Sequence, residues 1–351
     1  MSASTFRAER PAPGTPHREN GHEAPAFVTA PRGPSLTTTV PREFVHRASV
    51  AEVMLTGWER LEESRFAVAA QWPRRHGFFA AVEGCHDPLL VAETIRQAGI
   101  LLAHTEFGVP LGHQFLMFDL TVGVRPEQLR VAATPAALDI TVVCTDVRRR
   151  GGRLAGLHYE AVIRRDGEVA ATGGATFSCT APAVYRRLRA RAGDGLVPLA
   201  PAIPVAPGEV GRVCASDVVL SPAAGGPGRW QLRVDTRHPV LFDHPCDHVP
   251  GMVLLEAARQ AAAAFLGRPC LPVAVTGEFA RYAELDAPCT IEACSLPPHP
   301  DGAPRLLVTA RQNDTLVFTS TLTLTPAPAP AQAPAPAPAS ASAPAQAPAP
   351  A

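Results

Sequence analysis

The chain has 351 residues, of which 46% are hydrophobic, 18% charged and 6% aromatic. That is enough apolar material for a sizeable core and excludes a wholly disordered chain. The formal net charge of +0 argues against a basic nucleic-acid binder. All 32 basic residues are arginine, which excludes a Schiff-base lysine mechanism.

The ends differ from the middle. Residues 1 to 38 are rich in Pro, Gly, Ser, Thr and charge and are expected to form a disordered arm. Residues 327–351 are almost wholly Ala, Pro, Ser and Gln, a composition that favours a semi-rigid extended tail. Met1 to Pro34 lacks the apolar stretch of a secretory signal, and no run of about 20 apolar residues predicts a membrane span. The 8 cysteines form no CxxC pair and read as small apolar residues of a reducing compartment. A cytoplasmic protein with no membrane partner is therefore expected. A Gly/Pro/Ala-rich stretch near Gly193–Gly211 divides the middle into two parts, 39–195 and 196–326.

In chain order, an alternating strand over Phe66–Pro73 leads through Phe78-Phe79 to a helix over 87–104. Asp87 is suited to cap that helix, with Pro88 at its first position. Strands are predicted over Gln114–Val124, Leu138–Val147, Leu154–Arg164 and Glu168–Cys179, with a turn at Asp166-Gly167. The second part repeats the order. An alternating segment, Trp230–Pro239, leads through Leu241-Phe242 to a helix that starts near Pro250 and stops near Gly267. Strands follow over Pro272–Tyr282, Cys289–Ser295, Arg305–Gln312 and Thr315–Thr325. Both helices carry an apolar run followed by E-x-x-R-Q-A, beginning at Glu93 and at Glu256. The shared order indicates duplication. A long apolar helix wrapped by an antiparallel sheet is the α+β hotdog arrangement, and two copies make a double hotdog.

Both helices are apolar nearly all round, as buried helices are. Yet Glu93, Arg96 and Gln97 share one face of the first, and Glu256, Arg259 and Gln260 share one face of the second. Burying charges costs several kcal/mol per ion unless they are paired, so about two readings per stripe stand. The stripe is a structural ion pair or a solvated face, or it lines a cleft or contacts its twin. In the second reading a glutamate in an apolar tunnel has a raised pKa and serves as base, while arginine offers a fork for phosphate. Amides at the helix starts, near Leu89-Leu90 and Gly251-Met252, can polarise a carbonyl. His76, His86, His113, His244 and His248 surround the helices, and each alone reads first as structural or surface. The spacing of His244, Cys246 and His248 fits no common zinc motif, so no metal is expected. No GxGxxG, Walker or GxSxG sequence stands in a strand-to-helix context, so no nucleotide cofactor or serine triad is expected.

V45-H-R-A-S-V-A-E-V-M-L-T-G57, H86-D-P-L-L-V-A-E-T-I-R-Q-A-G99, H104-T-E-F-G-V-P-L-G-H-Q-F115 and F242-D-H-P-C-D-H-V-P-G-M-V-L-L-E-A-A-R-Q260 resemble the A-factor biosynthesis (AfsA) family of gamma-butyrolactone synthases. The resemblance covers about residues 40 to 326. The last block is also similar to a segment of hotdog acyl carrier protein dehydratases, with a shorter spacing between His244 and Pro250. The family resemblance implies an acyltransferase without cofactor. A beta-ketoacyl thioester on acyl carrier protein gives its acyl group to the hydroxyl of dihydroxyacetone phosphate. The ester then leads to a butenolide phosphate and a diffusible signal. In this chemistry Glu93 is expected as base and Arg259 as phosphate clamp, with Arg96 and Glu256 as their repeat counterparts. Gln97 and Gln260 would orient groups at the stripe, and Asp87, His113, Asp247 and His248 are further candidates. Arg148–Arg153 and Arg186–Arg191 would receive the acidic carrier. The rival readings are a hotdog dehydratase or thioesterase, and a non-catalytic acyl-binding protein. Either half can hold the site.

Overall fold

The computed structural model describes residues 37–325 apart from Glu83, residues 194–196 and Pro269. The tail 327–351 and nearly all of the predicted arm lie outside the described residues.

The alternating and β-branched runs become strands β1 (Leu55–Arg60), β2 (Arg65–Trp72), β3 (Gln114–Val124), β4 (Ala136–Arg150), β5 (Arg153–Arg165) and β6 (Glu168–Thr180). The second half supplies β7 (Leu220–Pro222), β8 (Arg229–Leu232), β9 (Leu271–Phe279), β10 (Cys289–Leu296), β11 (Arg305–Gln312) and β12 (Thr315–Thr325). They form a 12-stranded sheet in the order β1-β2-β4-β5-β6-β3-β9-β12-β11-β10-β8-β7. Read outward from its middle, each half runs through equivalent strands in equivalent order. The halves join where β3 pairs antiparallel with β9, with Thr121 opposite Thr276 and Val122 opposite Val275. This is the double hotdog expected from the repeat. The segment over Trp230–Pro239 is shorter than predicted, since β8 ends at Leu232 and a turn follows.

Helix α1 (Pro88–Thr105) begins where the Asp87 carboxylate accepts the Leu89 N–H, and proline occupies its first turn. It is buried along its length except at Arg96 and Thr105. Gly99 is required on the helix, because a Cβ there would lie 2.5 Å from the Tyr159 ring. That ring stacks in the groove and donates its hydroxyl to the Ile95 carbonyl at 2.8 Å. Helix α3 (Gly251–Leu266) ends at Gly267 in the left-handed conformation, φ 61°. Its start differs from that of α1. Pro250 occupies the cap position and offers no side-chain acceptor. Between the halves lies helix α2 (Pro182–Gly193), in a segment that sequence composition marks only as the approach to a boundary.

Candidate functional site

The polar stripes sit at the junction of the halves, and each is completed by an arginine that stands just after a short 3-10 turn upstream. Glu93 is fully buried. It accepts from Arg47 Nε at 2.9 Å and lies 2.7 Å from Arg47 Nη2. It also accepts from Arg96 Nε at 2.9 Å and Nη2 at 2.8 Å, and from Gln97 Nε2 at 2.6 Å. Gln97 is itself fixed to the backbone by accepting from Met54 N at 2.9 Å and donating to Glu52 O at 2.7 Å. The second stripe repeats this residue for residue. Glu256 accepts from Arg212 Nε at 2.9 Å and from Arg259 at 2.9 and 2.6 Å. Gln260 accepts from Val219 N at 2.9 Å and donates to Asp217 O at 2.7 Å. The clusters also cross the junction, with Arg47 Nη1 donating to Val240 O and Arg212 Nη1 to Phe78 O.

This geometry corrects the expectation of a raised glutamate pKa. Burial alone would raise it, but the guanidiniums of Arg47 and Arg96 outweigh burial and hold Glu93 at about 2. Arg212 and Arg259 do the same to Glu256, also at about 2. Both carboxylates are held in the ionised form by guanidiniums that occupy their oxygens.

The two clusters differ in what lies beside them. A cavity of about 750 Å³ opens next to the first and is lined by His46, Arg47 and Arg96 on one side and Pro250, Gly251 and Met252 on the other. Glu93 lies behind this wall and Arg96 forms part of it. Arg212, Glu256 and Arg259 do not line the cavity. Arg259, expected as the phosphate clamp, is buried against Glu256 instead of facing the cavity. Three substitutions between the repeats account for the difference. Phe78 stands where the second half has Val240, and its ring covers the Arg212 guanidinium at 4.2 Å. Asp87 closes the amide end of α1 with its own carboxylate, whereas Pro250 leaves that of α3 open. His46 holds a left-handed backbone at φ 52° where the second half has Gly211 at φ 67°, so an imidazole projects where the mirror position has none.

Within the cavity wall, the loop before α3 carries two Asp–His pairs four residues apart. His244 Nδ1 lies 2.6 Å from Asp243 Oδ1. That hydrogen bond, more than any other contact, lifts His244 to about 9, so it is a cation at neutral pH. His248 Nδ1 lies 2.7 Å from Asp247 Oδ1. This contact directs a proton on Nδ1 to the carboxylate and leaves Nε2 as the nitrogen able to accept one. The hydrogen bond from His248, joined by those from Tyr185 and Arg189, holds Asp247 well below the usual carboxylate range. His248, Asp247 and Tyr185 all line the cavity, as do Gly251 and Met252, whose amides have no acceptor among the described residues. On the opposite wall His46 lies 2.9 Å from His104, Nε2 to Nε2. Burial and the neighbouring His104 push His46 down to about 3 and keep it neutral. Ile100, Phe115, Phe177, Leu254 and Phe279 give the cavity an apolar part.

Of the residues singled out in the sequence, Arg96, His113, His244, Asp247 and His248 line the cavity, as do the Gly251 and Met252 positions at the start of α3. Gln97 and Gln260 tie the stripes to the backbone, and Asp87 caps α1. Sequence reading missed Arg47, Asp243, His46 and Tyr185. The arginine segment over 186–191 is also divided, because Arg189 is buried against Asp247 and Glu284 while Arg186 and Arg187 are exposed. Among the described residues no cluster of His, Cys, Asp or Glu is arranged to hold a metal, and no helix is long and apolar enough to cross a membrane.

Fold and cavity together define a tandem hotdog protein with an acyl-sized chamber served by an open helix end. The family model for the A-factor biosynthesis hotdog domain matches residues 28–181 and 198–328. A 2-oxo-3-(phosphooxy)propyl 3-oxoalkanoate synthase of Streptomyces virginiae is 59% identical over 287 residues, 81% of this chain and 97% of that protein. Its namesake in Streptomyces coelicolor is 44% identical over 288 residues, 81% of this chain and 90% of that protein. Among solved structures, an acyl-ACP thioesterase from Bacteroides thetaiotaomicron aligns with a TM-score of 0.48 at 10% identity, covering 74% of this chain and 98% of that one. The chain belongs to the A-factor biosynthesis hotdog family.

Proposed function

We propose that this protein is an acyltransferase that joins a 3-oxoacyl group to the hydroxyl of dihydroxyacetone phosphate, as the names of its relatives describe. The observation that carries the reading is the uncapped start of α3 opening into the cavity beside the Asp247–His248 pair.

His248 Nε2 takes the proton from the acceptor hydroxyl, and the hydroxyl oxygen attacks the thioester carbonyl carbon. Negative charge then gathers on the carbonyl oxygen, where the amides of Gly251 and Met252 and the positive end of α3 stabilise it. The C–S bond breaks, and the leaving thiolate takes the proton back from His248. The acceptor phosphate meets the cations of the rim, namely protonated His244, Arg281 and Arg96, whose Nη1 is not used in holding Glu93. Asp243 and Glu93 keep Arg47 and Arg96 in place without contributing to transfer directly. The acyl chain occupies the apolar part of the chamber.

The donor in this reading is an acyl carrier protein, and the setting is the cytoplasm. Strand register supports a carrier-binding rim. Arg148 on β4 pairs with Gly156 on β5, Gly156 with Ser178 on β6, and Ser178 with Leu116 on β3, which lines the cavity. Three strand spacings place the arginine hairpin about 14 Å from that wall. Arg148, Arg149, Arg150 and Arg153 are all exposed there.

The test is incubation of the purified protein with a 3-oxoacyl thioester and dihydroxyacetone phosphate, followed by mass analysis. The expected product is the phosphorylated ester with release of thiol. Free 3-oxo acid formed at the same rate without the acceptor would make the protein a thioesterase and overturn the reading.

A further inference from the structure

Helix α2 contributes little to the core. From Ala183 to Ala190 only Tyr185 and Arg189 are shielded from solvent, while Val184, Arg186, Arg187 and Leu188 are exposed. The two shielded residues stand one helical turn apart on one face, and both are directed at the same carboxylate. Tyr185 donates to Asp247 Oδ1 at 2.7 Å and lies 3.0 Å from Oδ2. Arg189 donates through Nε to Asp247 Oδ2 at 3.1 Å and through Nη2 to the Asp247 carbonyl at 2.9 Å. The same guanidinium grips Glu284 through two contacts of 2.7 Å and lies 4.4 Å over the Tyr282 ring. Tyr282 in turn meets the His248 ring edge-on at 4.7 Å. A helix that buries so little apolar surface adds little hydrophobic stabilisation. Its contacts converge instead on the partner of one histidine.

We infer that α2 is a positioning strap, in which Tyr185 and Arg189 fix the Asp247 carboxylate so that His248 keeps one tautomer and one orientation towards the α3 amides. The inference rests on the acyltransferase reading and adds to it the residues that set the base. Tyr185 and Arg189 touch no substrate in this role. They act through Asp247, and the groups facing the pair are Tyr185 and Arg189 from α2 and Tyr282 and Glu284 from the segment after β9.

Tyr185→Phe removes one hydrogen bond and leaves the ring in place. Arg189→Lys keeps the charge but loses the fork. Each is expected to lower kcat about tenfold, the rate equivalent of one displaced hydrogen bond. The KM for each substrate should stay within about twofold, because neither residue contacts substrate. The acid limb of the rate profile should move to higher pH, since Asp247 loses one of the hydrogen bonds that hold its carboxyl low. In a His248→Gln background the Tyr185→Phe loss should disappear, as expected for groups acting as one unit. Losses that multiply in that background, or an unmoved acid limb, overturn the strap. Should Arg189→Lys fail to fold, Tyr185→Phe decides alone. A fully active His248→Gln protein would refute the base assignment itself, a result distinguishable from failure of the strap.

Discussion

Replacing Glu93 by glutamine keeps the shape of the side chain and removes the charge that binds Arg47 and Arg96. The structure sets the size of the effect. A carboxylate held at about 2 rather than 4.5 contributes roughly 3 kcal/mol at neutral pH, since each unit is worth about 1.4 kcal/mol. That agrees with the ~3–5 kcal/mol lost when one partner of a buried ion pair is removed. The folded pKa is depressed, so this contribution is present above about 4.5 and disappears as pH falls through about 2. At about 2–4 °C per kcal/mol, Glu93→Gln should melt roughly 6–12 °C below the parent at pH 7. Glu256→Gln removes the mirror anchor and should cost a similar amount. The two variants should separate in activity, because only the first cluster walls the cavity. Thermal melting followed by acyl-transfer assays well below both melting points tests this. A Glu93→Gln protein melting within about 1 °C of the parent would refute the ion-pair reasoning. Equal loss of specific activity in both would refute the assignment of one working cavity.

His248→Gln should lower kcat by about 100-fold or more with little change in KM, the pattern of a lost general base, as measured by steady-state kinetics. His244→Gln should instead raise the KM for dihydroxyacetone phosphate while leaving the thioester KM unchanged. In the parent, acceptor affinity should hold up to about pH 9 and weaken above it, because the raised pKa keeps His244 charged until then. The variant should lack that limb. By the same linkage the His244–Asp243 pair stabilises the fold fully below about 6.5 and loses its contribution as pH rises through about 9. Gly99→Ala places a Cβ 2.5 Å from the Tyr159 ring and should destabilise by about 1–3 kcal/mol, read as a lower melting point.

Much of this architecture is written in residue patterning. Helices α1 and α3 announce themselves because apolar residues surround them and Asp87 and Gly267 mark ends with definite backbone requirements. Hairpins such as β11–β12 follow from β-branched runs broken at Asn313-Asp314, where both residues adopt positive φ. Strands β1 and β7 escape, since β1 is mostly polar and β7 spans only Leu220–Pro222. Helix α2 escapes because its arginines read as a charged surface for a carrier, whereas two of its residues make polar contacts inward. The stripes are legible as polar residues at i, i+3 and i+4 in apolar helices. Their chemistry is not, because Arg47 and Arg212 arrive from loops more than 40 residues upstream with no local signal. Nor could the repeats be ranked by sequence alone, as both stripes read identically. What separates them lies at Phe78, Asp87 and His46, outside the motif they share.

Joining the halves through β3 and β9 in one polypeptide has an evolutionary consequence. In a symmetric pair of separate chains every replacement appears twice, so an alteration that improves one pocket is imposed on the other. Here Phe78 and Asp87 could seal one pocket while Val240 and Pro250 left its twin accessible. At the closed position the guanidinium–carboxylate knot of Arg212, Arg259 and Glu256 still braces the seam. Gene fusion thus released each copy from having to suit both tasks.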